Sequence, residues 1–307
     1  MPSAISFTVQ LTTASSADEW RSLCQRVEDL GYAGISISDH FSAQLAPIPA
    51  LAAAAAVTKR VRLGFNVLAN DFRHPAMLAK ELATIDLLSD GRLIAGIGAG
   101  WMTHDYEATG IALDRPGIRI ERLEEAVTIL RGLWAKGPFT FAGTHYRIND
   151  LDGLPKPVQN LPPVLIGGGA PRVLGLAGRI ADVVGIALDN RSGAVGTHTW
   201  QSARVASTQD KLAWIVKGAE GRATPPRVSV RVLHVAVTDD RARAADDFAA
   251  SSGLDPAEAL SSPHTLIGTI DEIVADLRTR QQSLGFSDYV VSQSALDALA
   301  PVLAAIG

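Results

Sequence analysis

Short β-branched runs alternate with longer stretches of helical periodicity along the whole chain. Residues 5–11 are strand-like. Trp20, Leu23, Cys24, Val27 and Leu30 then recur at steps of three and four, and Gly31 stops the pattern. Residues 34–38 (GISIS) suit a buried strand, 47–57 an alanine-rich helix and 61–68 a third strand. His74-Pro75 opens a helix carrying Leu78, Leu82, Ile85 and Leu88, with proline in the first turn. Residues 92–98 make a fourth strand, and Ile120, Leu123, Val127, Leu130 and Trp134 mark an amphipathic helix. The second half repeats the theme. Strands are expected at 163–166, 182–186, 228–237 and 288–292, and helices at 172–180, within 197–220, at 271–284 and at 296–306.

Strands that alternate with helices imply a parallel sheet covered by helices. Eight such units in 307 residues predict an α/β fold, a closed (β/α)8 TIM barrel with insertions, spanning residues 1–307 as a single domain. Two stretches exceed a minimal barrel. Residues 139–148, with Gly143-Thr144 at the centre, read as an inserted hairpin, and 189–198 as a polar loop after the sixth strand.

Composition narrows the class further. With 47% apolar residues and a net charge of −4, the chain has the make-up of a folded protein. Its 28 basic residues against 32 acidic ones offer no general attraction for nucleic acid. The one cysteine, Cys24, excludes an internal disulfide and fits a reducing compartment. No run reaches the ~18 apolar residues of a membrane span, and the start (MPSAI) has no basic leader region, so a cytoplasmic protein is expected.

Several chemistries are excluded at once. There is no G-x-S-x-G elbow, no H-E-x-x-H, and no pair of histidines spaced i, i+4 among the seven, so no metal site is expected. Gly96-Ile97-Gly98-Ala99-Gly100 has the spacing G-x-G-x-G rather than the dinucleotide fingerprint. Barrels carry function at the C-terminal ends of their strands, and three such ends stand out. Ser38-Asp39-His40 puts an imidazole and a carboxylate at the mouth, suited to proton transfer or to fixing the loop. Gly96 to Gly100 allows a flat ligand, or a neighbouring strand, close to the backbone, with Trp101 as an aromatic wall. Gly167-Gly168-Gly169-Ala170-Pro171-Arg172 runs from a strand into a helix start, where free N–H groups favour an anion. Together they outline one elongated site for a flat aromatic ligand with a phosphate at the later strands.

These residues, with Arg62-Leu63-Gly64, Val67-Leu68, Arg73-His74-Pro75, Ser89-Asp90-Gly91-Arg92, Leu266-Ile267-Gly268-Thr269 and Leu284-Gly285-Phe286, carry a resemblance spanning almost the whole chain. The sequence resembles the bacterial luciferase-like superfamily and, within it, the coenzyme F420-dependent oxidoreductases of actinobacteria. The resemblance implies a TIM barrel, a homodimer, a small-molecule substrate and a non-prolyl cis peptide at Asn66–Val67. It also implies cofactor contacts at Asp39, Asn66, Val67, Ala69, Ala99, Gly100, His104, Gly169, Ala170, Arg172 and Val173, with His40 as the catalytic residue. Two departures matter. Where the sugar-phosphate dehydrogenases of the family carry Trp and Glu, this chain has Gln44 and Trp101, so that sugar-phosphate activity does not transfer. Gln44 and Trp101 become substrate-binding candidates, and Trp101 favours an apolar or planar substrate.

Three functions follow from the resemblance. The first is hydride transfer between F420 and an unidentified small molecule. The alternatives are an FMN-dependent monooxygenase of the same superfamily and a catalytically silent flavin- or deazaflavin-binding barrel. F420 has an acidic tail that needs basic groups at the rim, a role open to Arg172 and Arg191.

Overall fold

In the computed structural model, which describes residues 4–306, nine parallel strand segments form the central sheet. They are β1 (Ser6–Gln10), β2 (Gly34–Ile37), β3 (Arg62–Phe65), β4 (Leu68–Ala69) and β5 (Leu93–Gly98), then β8 (Val164–Gly168), β9 (Val183–Ile186), β10 (Arg227–Arg231) and β13 (Asp288–Ser292). The hydrogen-bonded order is β3-β2-β1-β13-β10-β9-β8-β5-β4, and β3 also pairs with β5. Because β3 and β4 are halves of one interrupted strand, this is a closed eight-stranded TIM barrel. Residues 1–3, part of the stretch read as lacking a leader, and residue 307 lie outside the described residues.

Helices ring the barrel: α1 (Ala17–Asp29), α2 (Pro47–Val57), α3 (Pro75–Leu88), α4 (Thr103–Thr109), α5 (Pro116–Trp134) and α6 (Pro171–Ile180). They continue as α7 (Thr197–Trp200), α8 (Val205–Gly218), α9 (Arg241–Ser252), α10 (Pro256–Ser261), α11 (Ile270–Leu284) and α12 (Leu296–Ile306). The longer ones bury apolar side chains on one face, as α1, α3 and α5 do. In α1, Ser16 caps the first turn by accepting the Glu19 N–H, and Trp20, Cys24 and Val27 are buried. The Trp20 indole then donates to the Ala50 carbonyl at 3.1 Å, which locks α1 against α2. The inserted hairpin is present as β6 (Phe139–Ala142) and β7 (Arg147–Leu151), paired antiparallel. No helix among the described residues is long and apolar enough to cross a membrane.

Two expected strands are divided. Residues 61–68 break at Asn66–Val67, which is a cis peptide as the resemblance implies. Residues 228–237 split into β10 and β11 (His234–Val237), because the chain leaves the wall after Arg231. The Val232 N–H still donates to Val290 of the barrel, whereas β11 pairs in parallel with β12 (Thr265–Gly268) outside it. The apolar alternation shifts phase between Val232 and Val235, but a phase shift alone does not reveal a change of partner.

At this junction His264 is completely buried. Its Nδ1–H donates to the Arg231 carbonyl at 2.7 Å, and among the described residues Nε2 has no partner. Burial, reinforced by the Lys211 and Arg280 charges, pulls its pKa down from 6.5 to about 3. Between those values the unfolded chain binds more protons than the folded one, so stability falls as pH drops through this window. The loss from this residue should reach about 2 kcal/mol by pH 5. Urea midpoints at pH 7 and pH 5 check it. His264→Asn should lose less stability on acidification than the wild type, and equal losses would discard the assignment.

Candidate functional site

The strand ends named above surround a cavity of about 470 Å³ at the C-terminal mouth of the barrel, within the size range of small-molecule sites. Asp39 and His40 line it directly after β2, and Asn66, Val67 and Ala69 line it at the break between β3 and β4. Ala99, Gly100 and Trp101 follow β5, and Gly169, Ala170 and Val173 follow β8. Eleven sequence-predicted positions that are scattered along the chain therefore meet in one space.

Three predicted residues lie off the lining. Gln44 stands behind Ser38: the Ser38 hydroxyl donates to Gln44 Oε1 at 2.7 Å and accepts from Gln10 Nε2 at 2.9 Å. His104 is exposed on α4. Arg172, 59% exposed, turns back along the start of α5 to pair with Glu121 at 2.9 Å. A Cβ on Gly117 would fall 2.5 Å from the Arg172 guanidinium, so glycine at that position makes room for the arrangement. Arg191 does line the cavity but is paired with Asp189 at 2.6 Å.

The wall beside Asn66–Val67 has a definite shape. The Val67 side chain sits over two strand glycines, and a Cβ on Gly98 or Gly167 would fall 2.7 or 3.0 Å from its methyl groups. The result is a smooth apolar surface that suits the face of a planar ring. Buried Asp39 secures it from the other side, accepting the Ala69 N–H at 3.1 Å and both Arg73 amino groups at 2.5 and 3.2 Å. Across the mouth, Gly100 adopts φ +74°, a conformation that side chains resist, and the Tyr106 hydroxyl occupies the space where a Cβ would stand. Arg119 of α5 donates to the carbonyls of Ala99, Gly100 and Asp114 and holds this turn from behind. Burial, aided by the Asp71 carboxylate, pushes the Tyr106 phenol up, so it remains neutral at physiological pH.

At the start of α6, Ala170 is the N-cap residue and makes no side-chain cap, and Pro171 occupies the first turn. The N–H groups of this turn have no capping side chain and adjoin the lining residues Ala170 and Val173, as an anion site requires.

His40 has a partner that the sequence reading missed. Its Nδ1–H donates to Asp105 Oδ2 at 2.6 Å, and Asp105 Oδ1 accepts the Phe41 N–H at 3.1 Å. Asp105 is buried in the first turn of α4. Because a carboxylate can only accept, the pair fixes the imidazole tautomer and leaves Nε2 as the nitrogen facing a ligand. Trp101 packs edge-on against the same ring, with centroids 5.6 Å apart. The position expected to hold an acid is apolar, and the acid instead comes from four residues further along. Its signal was faint, a single Asp in a polar segment with no periodic apolar positions. Among the described residues, no group of three or more His, Cys, Asp or Glu side chains could hold a metal ion.

An F420-dependent glucose-6-phosphate dehydrogenase of Intrasporangium calvum is 38% identical over 167 residues, 51% of this chain and 50% of that protein. An FMNH2-dependent dimethylsulfone monooxygenase of Pseudomonas putida is 37% identical over 109 residues, 35% of this chain and 30% of that protein. The chain thus spans about half or less of the length of these curated relatives. The fold matches that of a coenzyme F420-dependent tetrahydromethanopterin reductase from Methanopyrus kandleri with a TM-score of 0.77, covering 99% of this chain and 100% of that one at 19% identity. The luciferase-like monooxygenase family matches residues 3–290, and the chain belongs to that family.

Proposed function

We propose that this chain is an F420-dependent oxidoreductase that moves a hydride between the deazaflavin and a small, planar or apolar organic molecule. One observation carries the reading. The smooth Val67 wall, the uncapped start of α6 and the His40–Asp105 pair open onto the same cavity. The Intrasporangium relative favours F420 as the cofactor. When bound, the deazaflavin supplies or accepts the hydride.

The chain's own residues supply the rest. Val67 backs the ring, while Ala99 and Gly100 bring backbone close to it. Gly169, Ala170 and the first turn of α6 receive the phosphate. His40 holds or delivers a proton at Nε2, and Trp101 keeps water from one flank. Outside the cavity lining, His104 and Arg172 are left for the acidic tail rather than for the ring, Arg172 by exchanging its Glu121 partner for it, and Gln44 acts on the substrate side through Ser38. The same reading includes a homodimer, which sedimentation analysis would resolve.

Fluorescence quenching of F420 by the purified protein tests the cofactor. Binding at micromolar F420, tighter than FMN measured in parallel, is the expected result. No quenching at tens of micromolar would overturn it. Tighter FMN binding would favour the flavin monooxygenase reading, which the Pseudomonas relative supports. Binding without turnover of any quinone, enone or nitroaromatic would favour the silent barrel.

A further inference from the structure

Among the charged side chains that line the cavity, most are accounted for. Asp39 is paired with Arg73, His40 with Asp105, and Arg191 with Asp189. Arg119 is spent on three carbonyls. Arg231, at the end of β10, differs. It lines the cavity, yet among the described residues its guanidinium forms no ion pair and no hydrogen bond, and its Nη1 is sealed without a partner. The residue as a whole is half-buried and faces the cavity that it lines. Burial pulls its pKa down only to about 10, so it stays charged at neutral pH. A charge held partly out of water without a partner is costly, and a ligand anion reaching it from the cavity would offset that cost.

Its setting adds direction. Ser229, two residues earlier on the same face of β10, also lines the cavity, and its register neighbours around the wall are Gly185 and then Gly167. The row below Arg231 therefore carries one hydroxyl and two bare backbones, which leaves room for a ligand to reach the guanidinium. The phosphate site proposed at α6 follows β8, two strands away, and has its own donors. His40 follows β2, three strands from β10 in the opposite direction, or ~14 Å along the wall at ~4.8 Å per strand. Apolar side chains elsewhere around the mouth, including Trp101, Leu188, Trp200 and Leu233, line the same space.

We infer that Arg231 is the specificity determinant of this site and takes the carboxylate of the substrate, which makes the substrate class a planar or apolar organic acid. The guanidinium forms a fork that matches a carboxylate through two parallel N–H···O bonds. Held there, the acid's apolar body lies along the aromatic side of the mouth toward His40. The inference rests on this cavity being the substrate site, but it does not require F420 to be the cofactor.

Benzoate and benzamide, alike in shape and different in charge, are the probes. Calorimetric titration of the protein without added cofactor should show benzoate binding about 10–100-fold more tightly than benzamide, the range for a hydrogen-bonded charged group. Arg231→Met should remove that preference, and Arg231→Lys, which keeps the charge but not the fork, should retain part of it. The F420 affinity of Arg231→Met, measured by quenching, should change less than threefold. Equal binding of the two probes by the wild type, or a preference that survives Arg231→Met, would overturn the inference. So would a tenfold loss of F420 affinity in the variant, because the anion would then belong to the cofactor. Should Arg231→Met fail to fold by circular dichroism, the wild-type preference and its reduction in Arg231→Lys still decide. Failure of F420 to bind while benzoate is preferred would reject the cofactor assignment and leave this one standing.

Discussion

His40→Ala should lower kcat by about 10²- to 10⁴-fold, the range for removing a positioned general acid or base. F420 affinity should change little, because the proposed function puts the imidazole at the reacting centre and the ring against the Val67 wall. Asp105→Asn tests the pair from the other side. Asparagine keeps the shape but can donate to Nδ1, which would place the proton on Nε2 and reverse what that nitrogen offers a ligand. A fall of about 10²-fold in kcat, with KM nearly constant, is expected if Asp105 acts by positioning His40. Steady-state oxidation of reduced F420 with a panel of quinones, enones and nitroaromatics measures both variants. Should His40→Ala keep more than a tenth of wild-type turnover, His40 loses its role. A change in KM alone for Asp105→Asn would make Asp105 a loop support.

Gly96→Ala should destabilise the protein by about 3 kcal/mol, at the upper end for forcing atoms into a packed wall. A Cβ on Gly96 would lie 1.7 Å from the Phe65 carbonyl oxygen, and backbone cannot swing aside as a flexible side chain can. The strain would fall at the β3–β5 contact that closes the barrel, one residue before the Asn66–Val67 break. Gly175→Ala is the control of opposite sign. Gly175 lies within α6 with nothing within 4 Å of its Cβ direction, so alanine there should stabilise by about 1 kcal/mol through helix propensity. Urea unfolding of the two variants compares them directly. A loss below about 1 kcal/mol for Gly96→Ala would mean that the wall relaxes, and the close approach would not be what requires glycine.

Both predictions draw on features of unequal legibility. Gly96 is visible as part of a glycine run at a strand end, where a flat ligand or a neighbouring strand is expected to come close; the structure shows that it is the Phe65 backbone. Asp105 was not visible, because α4 is polar and short and no apolar period marks it. The helices α9 and α10 went unread although their ends are marked, by the Asp240 cap and the left-handed Gly253 and by the Asp255–Glu258 capping box. Their signals are local end signals, which apolar periodicity does not carry. The place of Arg172 in a helix first turn suggests an anion ligand, but helix position does not fix where a long side chain goes. Glu121, 51 residues earlier, draws it away.

The sequence alone determined the alternation of eight strands with helices, and hence the barrel, because each segment's apolar period follows from its own residues. It also determined which strand ends carry glycine, histidine or aspartate, since a barrel places its strand ends at one mouth whatever the loops do. Only the tertiary structure decided which charges meet partners there. Asp105 reaches His40 across 65 residues, Arg73 reaches Asp39 across 34, and Arg231 meets no partner among the described residues. A charge's function depends on what stands within a few ångströms of it, and that distance is set by how strands far apart in the chain come together around the barrel.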